Sequence, residues 1–219
     1  VHLDGGCHHG RISNIRGTAY DDLVAINAND GRCAAFEGDI TDIDIDGLYS
    51  EYCHSAVRLL STGAKIRRIN ISNVHGNYYR YAVGFTHFFG DRPTRGTFDA
   101  ITISNCHVAK CLQPADLHML AAFPLFYFDG RIDVGTVTIR DVTREESTSN
   151  EATIGIVKSC HVGRLILRDI SQVNRTDESL TFLQMSGRVD ELVRENIRLV
   201  DAPGANVPCD EKKAVDPAR

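Results

Sequence analysis

Along most of the chain apolar and polar residues alternate at a period of two, and one short pattern recurs: apolar, any residue, apolar, one residue, then Asn, Asp or Gly, then an apolar residue. It appears as GRISNI, IDIDGL, INISNV, ITISNC, VTIRDV, LILRDI and LVRENI, anchored at Asn14, Gly47, Asn73, Asn105, Asp141, Asp169 and Asn196. Successive anchors stand 33, 26, 32, 36, 28 and 27 residues apart. The period and the Ile, Val and Thr content predict strands rather than amphipathic helices. Strands recurring at a near-fixed spacing predict a repeat architecture in which each repeat stacks on the next. The expectation is an all-β, right-handed parallel β-helix of about seven coils, one domain over residues 1–200. The anchors then occupy sharp bends, because Asn, Asp and Gly enter the left-handed backbone region most easily. Their stacked side chains are expected to hydrogen-bond from coil to coil.

A second strand follows each of the early anchors, seen in DDLVAIN (21–27), HSAVRLLS (54–61) and RYAVGFT (80–86). Alignment on the apolar positions stacks Val24 and Ile26 over Val57 and Leu59, and those over Val83 and Phe85. The intervening residues then form outward columns: Ala25, Arg58 and Gly84; Asp22, Ser55 and Tyr81; Asp21, His54 and Arg80. His2 heads the first of these. Two carboxylates, a histidine, a guanidinium and a tyrosine converge on one face, where small Ala25 and Gly84 are expected to leave room for a ligand. The wide spacing around residues 113–123 predicts a longer loop, with one helical turn, that leaves the flank of the repeats. Residues 201–219, with Pro, Gly and charge, predict a polar tail or cap.

Composition narrows the partners. With 24 Lys and Arg against 29 Asp and Glu, a net charge of -5 and no basic cluster, the chain lacks the footprint of a nucleic-acid binder. Its longest apolar stretch, 117–128, is interrupted by His118 and Pro124 and is too short to span a bilayer. Seven cysteines without CxxC spacing predict buried thiols rather than a zinc site. Asp42, Asp44 and Asp46 read as a solvated acidic face, with calcium binding the weaker alternative. His8 and His9 are expected to point to opposite faces, which makes them a poor metal pair. The sequons at Asn70 and Asn174 are short enough to arise by chance. Neither a metal nor a cofactor is expected. VHLDGG opens as though in mid-strand, so the natural beginning of the chain is expected to lie upstream.

VHLDGGCHHGRISNIRGTAYDDLVAIN followed by HSAVRLLS resembles the polygalacturonase-type (family 28) glycoside hydrolases and their relatives of the pectin-lyase fold. Their pattern runs Asn-Thr-Asp-Gly, Asp-Asp-Cys-Val-Ala-Ile, Gly-His-Gly and Arg-Ile-Lys. The likeness is sharpest over residues 1–61. It implies an inverting O-glycosyl hydrolase of pectin-like or other acidic polysaccharide, secreted or periplasmic, with Asp21 as general acid, Asp22 as water-activating base and Arg58 gripping a sugar carboxylate. The chain departs from the pattern where the first Asp would precede Val1, where Gly-His-Gly is missing, and where Leu60 replaces the lysine. His54 is expected to substitute for the missing histidine, with Tyr81, Arg80 and His2 binding substrate. A uronate lyase or epimerase on the same fold, and a non-catalytic glycan-binding module, remain the alternatives.

Overall fold

The computed structural model describes residues 1–29, 37–87, 94–114 and 123–203. Among these the structure is all-β, without a helix, and therefore without any helix able to cross a membrane. The strands are β1 (His2–Asp4), β2 (His8–Arg16), β3 (Asp22–Asn29), β4 (Ile40–Ser61), β5 (Lys65–Thr86), β6 (Gly96–Lys110), β7 (Phe126–Phe128), β8 (Ile132–Glu146), β9 (Ile154–Ile156), β10 (His161–Asn174), β11 (Leu183–Met185) and β12 (Arg188–Asp201). Every pairing is parallel.

Two ladders carry these pairings, and β4 and β5 belong to both. The anchor ladder runs β2, β4, β5, β6, β8, β10, β12, and its registers reproduce the spacing of the sequence motif. Ile12, Ile45, Ile71, Ile103, Ile139 and Leu167 face one another in turn, and Leu167 faces Arg194. The apolar series ends in a charge only at the outermost strand, β12. The second ladder runs β1, β3, β4, β5, β7, β9, β11. Val24, Val57 and Val83 align as expected and continue through Phe126, Ile154 and Leu183. In the neighbouring inward row Phe85 stacks on Phe128 at 4.4 Å. Inward residues of both ladders form one apolar cluster that extends from Ile12 to Phe182. Parallel pairing in chain order fits the expected β-helix.

All seven anchors have a left-handed backbone: Asn14, Asn73, Asn105, Asp141, Asp169 and Asn196 have φ between 51° and 59°, and Gly47 has φ 75°. The side-chain ladder forms in segments, with Asn105 donating to Asn73, Asn73 to Asp46 and Asn196 to Asp169. Gly47 interrupts it, since a Cβ there would lie 3.0 Å from Asn14 Oδ1. A second line of left-handed bends, at His9, Asp42, Arg68 and Ala100, does not show in the sequence pattern. It puts a bend at His9; both His8 and His9 are exposed, with His8 Nδ1 3.0 Å from Thr41 Oγ1 and His9 Nδ1 3.9 Å from Asp42 Oδ2.

The remaining expectations outside the site resolve as follows. Asp42 is gripped by Arg68 at 2.6 and 2.7 Å, Asp44 by Asn70, and Asp46 by Ser72, Asn73 and Arg11, so each acid of this face is already paired across repeats. Cys53, Cys106 and Cys160 are buried thiols, Cys7 and Cys111 are half-buried, and Cys33 and Cys209 lie outside the described residues. Asn174 is buried and holds Glu178 and Asp201. The helical turn expected around 113–123 falls largely on residues 115–122, and the tail on 204–219, both outside the described residues.

Candidate functional site

The site grows from the point where β3 begins. Residues 19–21 lead into it, and the next repeat fastens their carbonyls. Ala19 O accepts from His54 N at 3.1 Å and from Cys53 Sγ at 3.3 Å, Tyr20 O accepts from the Tyr79 hydroxyl at 3.2 Å, and Asp21 O lies 3.7 Å from Cys53 Sγ. The two acids then diverge. Asp21 stands in solvent with its side chain 81% exposed, while Asp22 is only 2% exposed. Asp21 Oδ1 accepts from the Asp22 N–H at 2.9 Å, which turns the first carboxylate back over the second.

Asp22 faces Ser55 in register, and Ser55 faces Tyr81, as the columns predict. The Ser55 hydroxyl donates to Asp22 Oδ1 and lies 3.1 Å from His54 Nδ1. His54 Nδ1 sits 3.4 Å from Asp22 Oδ1 and 4.0 Å from Asp21 Oδ1, so the histidine stands between the acids. Arg58 Nε approaches Asp22 Oδ2 to 3.0 Å, a charge contact without hydrogen-bond alignment. Burial pushes the Asp22 carboxyl up, but the His54 hydrogen bond, the Arg58 charge and the Ser55 hydroxyl together outweigh it and hold the group below the ordinary carboxylate range. Asp22 is therefore a buried anion with its charge compensated.

Two expectations are corrected here. The Asp22, Ser55, Tyr81 column does not face solvent: Ser55 and Tyr81 are fully buried. Gly84 leaves no vacant space either, because a Cβ there would fall 2.5 Å from the Tyr81 ring. The missing side chain is what lets that ring fold onto the backbone. Burial, with the Asp22 anion adding to it, pushes the Tyr81 phenol far above its ordinary range. Its hydroxyl has no hydrogen-bond partner among the described residues.

Arg80 places its guanidinium 4.4 Å over the Phe123 ring and 5.8 Å from the Tyr81 ring. His2 is in register with Ala25, but it is exposed and paired with Asp4 at 3.1 Å, so it does not join the acid cluster. Asp21, Asp22, His54 and Arg58 are thus brought together, Tyr81 lies behind them, Arg80 packs on Phe123, and His2 pairs with Asp4. The ligating atoms of Asp21, Asp22 and His54 lie within 4.8 Å of one another, a spacing compatible with a cation. The Arg58 charge against Asp22 opposes that use.

Other contributors carry little sequence signal. Tyr79 meets His54 edge-on at 5.3 Å and Tyr52 at 5.7 Å, and only the YYRY run hinted at an aromatic cluster. Lys110, from β6, is buried and donates to Tyr79 O, Arg80 O and Phe123 O, which fastens the Phe123 segment to the strand beneath the site. Burial lowers its amine to about 8. The Arg58 column continues through Gly84, Tyr127, Gly155 and Gln184 into a depression of about 320 Å³, walled by Phe123, Tyr127 and Glu151.

The chain matches no protein-family model, no curated protein and no solved structure, so the likeness to polygalacturonase-type hydrolases rests on the motif residues and on this geometry alone.

Proposed function

We propose that the protein is a parallel β-helix that hydrolyses O-glycosidic bonds in an acidic polysaccharide, with Asp21 as its reacting acid and Asp22 and His54 as the groups that support it. The observation that carries this reading is the division of labour between two adjacent acids: Asp21 reaches solvent, while Asp22 is held buried and anionic against His54 and Arg58. Acid and base roles follow from environments that push paired groups apart. Asp21 gives its proton to the leaving glycosidic oxygen as the bond to the anomeric carbon breaks. A water attacks that carbon from the opposite side and gives up its proton to solvent, while His54, 4.0 Å from Asp21 Oδ1 and backed by the Asp22 anion, supports the acid side.

This differs from the sequence expectation, in which Asp22 itself activates water. The ligating atoms of Asp21, Asp22 and His54 lie within 4.8 Å of one another, below the about 6.5–9.5 Å that seats a water between an inverting acid and its base, so neither Asp22 nor His54 takes that water's proton. Burial also keeps Asp22 from touching substrate. Arg58, already facing Asp22, is in this reading a charge support for the anion before it is a uronate clamp.

A second reading, a glycan-binding module without turnover, is favoured by one observation: Tyr81 fills the space above Gly84, and Asp22 is closed off by Ser55, His54 and Arg58. Lyase chemistry with Arg58 as base is disfavoured by the same Asp22 contact. Mass spectrometry of products from polygalacturonate, alginate, xylan and a neutral β-glucan, with wild type and Asp21→Asn, tests these readings. Products that gain water, have an inverted anomeric centre and vanish in the variant support hydrolysis. Unsaturated products assign a lyase, and binding without cleavage assigns a module.

A further inference from the structure

Among the described residues Tyr20 is an anomaly, since the other aromatic side chains are buried or half-buried. Its side chain is 69% exposed, the largest exposure of any aromatic residue among the exposed hydrophobics described. A single exposed apolar residue is ordinary on a protein surface. What sets Tyr20 apart is that its backbone is held while its ring is not. The carbonyls of Ala19 and Tyr20 each accept a hydrogen bond from the next repeat or the one beyond it, and Asp21 O lies within reach of the Cys53 thiol. The bond to Tyr20 O comes from Tyr79, and Tyr79 also packs edge-on against His54. Tyr52, half-buried, leans on Tyr79 and extends the same aromatic surface. A ring on a fastened backbone loses little conformational freedom when a ligand covers it. Its neighbour in sequence is Asp21, the acid that reaches solvent.

We propose that Tyr20 is a sugar-binding platform: its ring covers the apolar face of the pyranose unit next to the bond that Asp21 protonates. The inference rests on the glycan reading above and deepens it by assigning a subsite. The chemical class follows from the ring. A pyranose whose axial C–H groups form one apolar face stacks on an aromatic ring, and its polar edge is left for Asp21 and solvent. Tyr20 acts through its ring and not its hydroxyl, so Phe serves in its place. The exposed ring side also has no charge requirement, so neutral and acidic pyranoses both use it, and uronate selectivity must come from elsewhere on the face.

The test is affinity electrophoresis in gels carrying polygalacturonate, alginate, xylan or the neutral β-glucan, on the Asp21→Asn background so that the polysaccharide is not consumed. Tyr20→Ala is expected to weaken retardation about tenfold in apparent Kd in the gel that retards the parent. Tyr20→Phe is expected to stay within about twofold of the parent, with thermal unfolding matched for all three proteins. Equal retardation of Tyr20→Ala and the parent overturns the platform while leaving the glycan reading intact. Loss in both Tyr20→Ala and Tyr20→Phe also overturns it, since the hydroxyl would then be the contact. If none of the four polysaccharides retards the parent and none is cleaved by wild type, the glycan reading falls and the platform with it.

Discussion

The anchor ladder and the site-bearing ladder are built from the same chain and the same spacing, yet they treat polar groups differently. On the anchor side several charges meet an opposite one in the next repeat: Arg68 with Asp42, Arg164 with Glu191, Arg168 with Glu195. These pairs are exposed, and the backbone beneath them is regular. On the site side Asp22 is buried beside Arg58 without an aligned bond, and the Tyr81 hydroxyl is buried without a hydrogen-bond partner among the described residues. Strands there shorten to three residues at β7, β9 and β11. A repeat that needs only to stack can satisfy every group with its neighbour. A face that must meet a ligand leaves groups whose partners are not all supplied by the fold.

The strongest way to sharpen this contrast is to break a polar cluster that is fully satisfied. Arg144 and Glu146 are both fully buried; Glu146 accepts from Arg144 and the Lys110 N–H, and Arg144 also donates to Glu151 O and Thr153. Glu146→Gln leaves a buried guanidinium uncompensated and is expected to cost about 3–5 kcal/mol in urea unfolding. A loss below about 1 kcal/mol would mean that this interior tolerates an unpaired charge.

On the site side, Gly84→Ala forces the Tyr81 ring off the backbone at a cost of about 1–3 kcal/mol. Displacement of the ring should also show as a change in the His54 imidazole resonances, since the two rings meet edge-on at 6.2 Å. Back on the anchor side, Asn105→Ala places a Cβ-branched-free but strained residue at φ 51° and removes the bond to Asn73. The expected loss is about 1–2 kcal/mol, and Asn105→Gly, which relieves the strain, should lose less.

The finest distinction is one of pH. Asp22 titrates lower in the folded protein than its ordinary value. Its contribution to stability is complete above the unfolded carboxylate value of about 3.9 and disappears as pH falls through the lower folded value. Removing the Arg58 charge with Arg58→Met raises the folded value towards the unfolded one, so the acid-side loss of stability should be smaller and should finish at higher pH. Urea unfolding across the acid range, compared between wild type and Arg58→Met, measures that displacement.

How much was legible follows from which residues carry the signal. The anchors were legible because left-handed bends select Asn, Asp and Gly, and the inward rows because a half-buried strand must alternate. The second line of bends was not, since His9, Asp42, Arg68 and Ala100 share no chemical preference for that conformation. Asp21, Asp22, His54 and Arg58 could be brought together on paper because parallel registers carry a residue to its neighbour one spacing away. The role of Tyr20 had no such signal, because exposure is decided by what packs nearby.

The sequence by itself determined the strand period, the seven bends and the register that sets acids, histidine and arginine on one face, since each follows from local backbone preference and alternation. Only the tertiary structure decided that Asp21 meets water while Asp22 does not, that Tyr81 closes over Gly84, and that Arg80 packs on Phe123. Adjacent residues of the same type differ there because burial and charge compensation depend on side chains from other repeats, brought within bonding distance only when the strands pair.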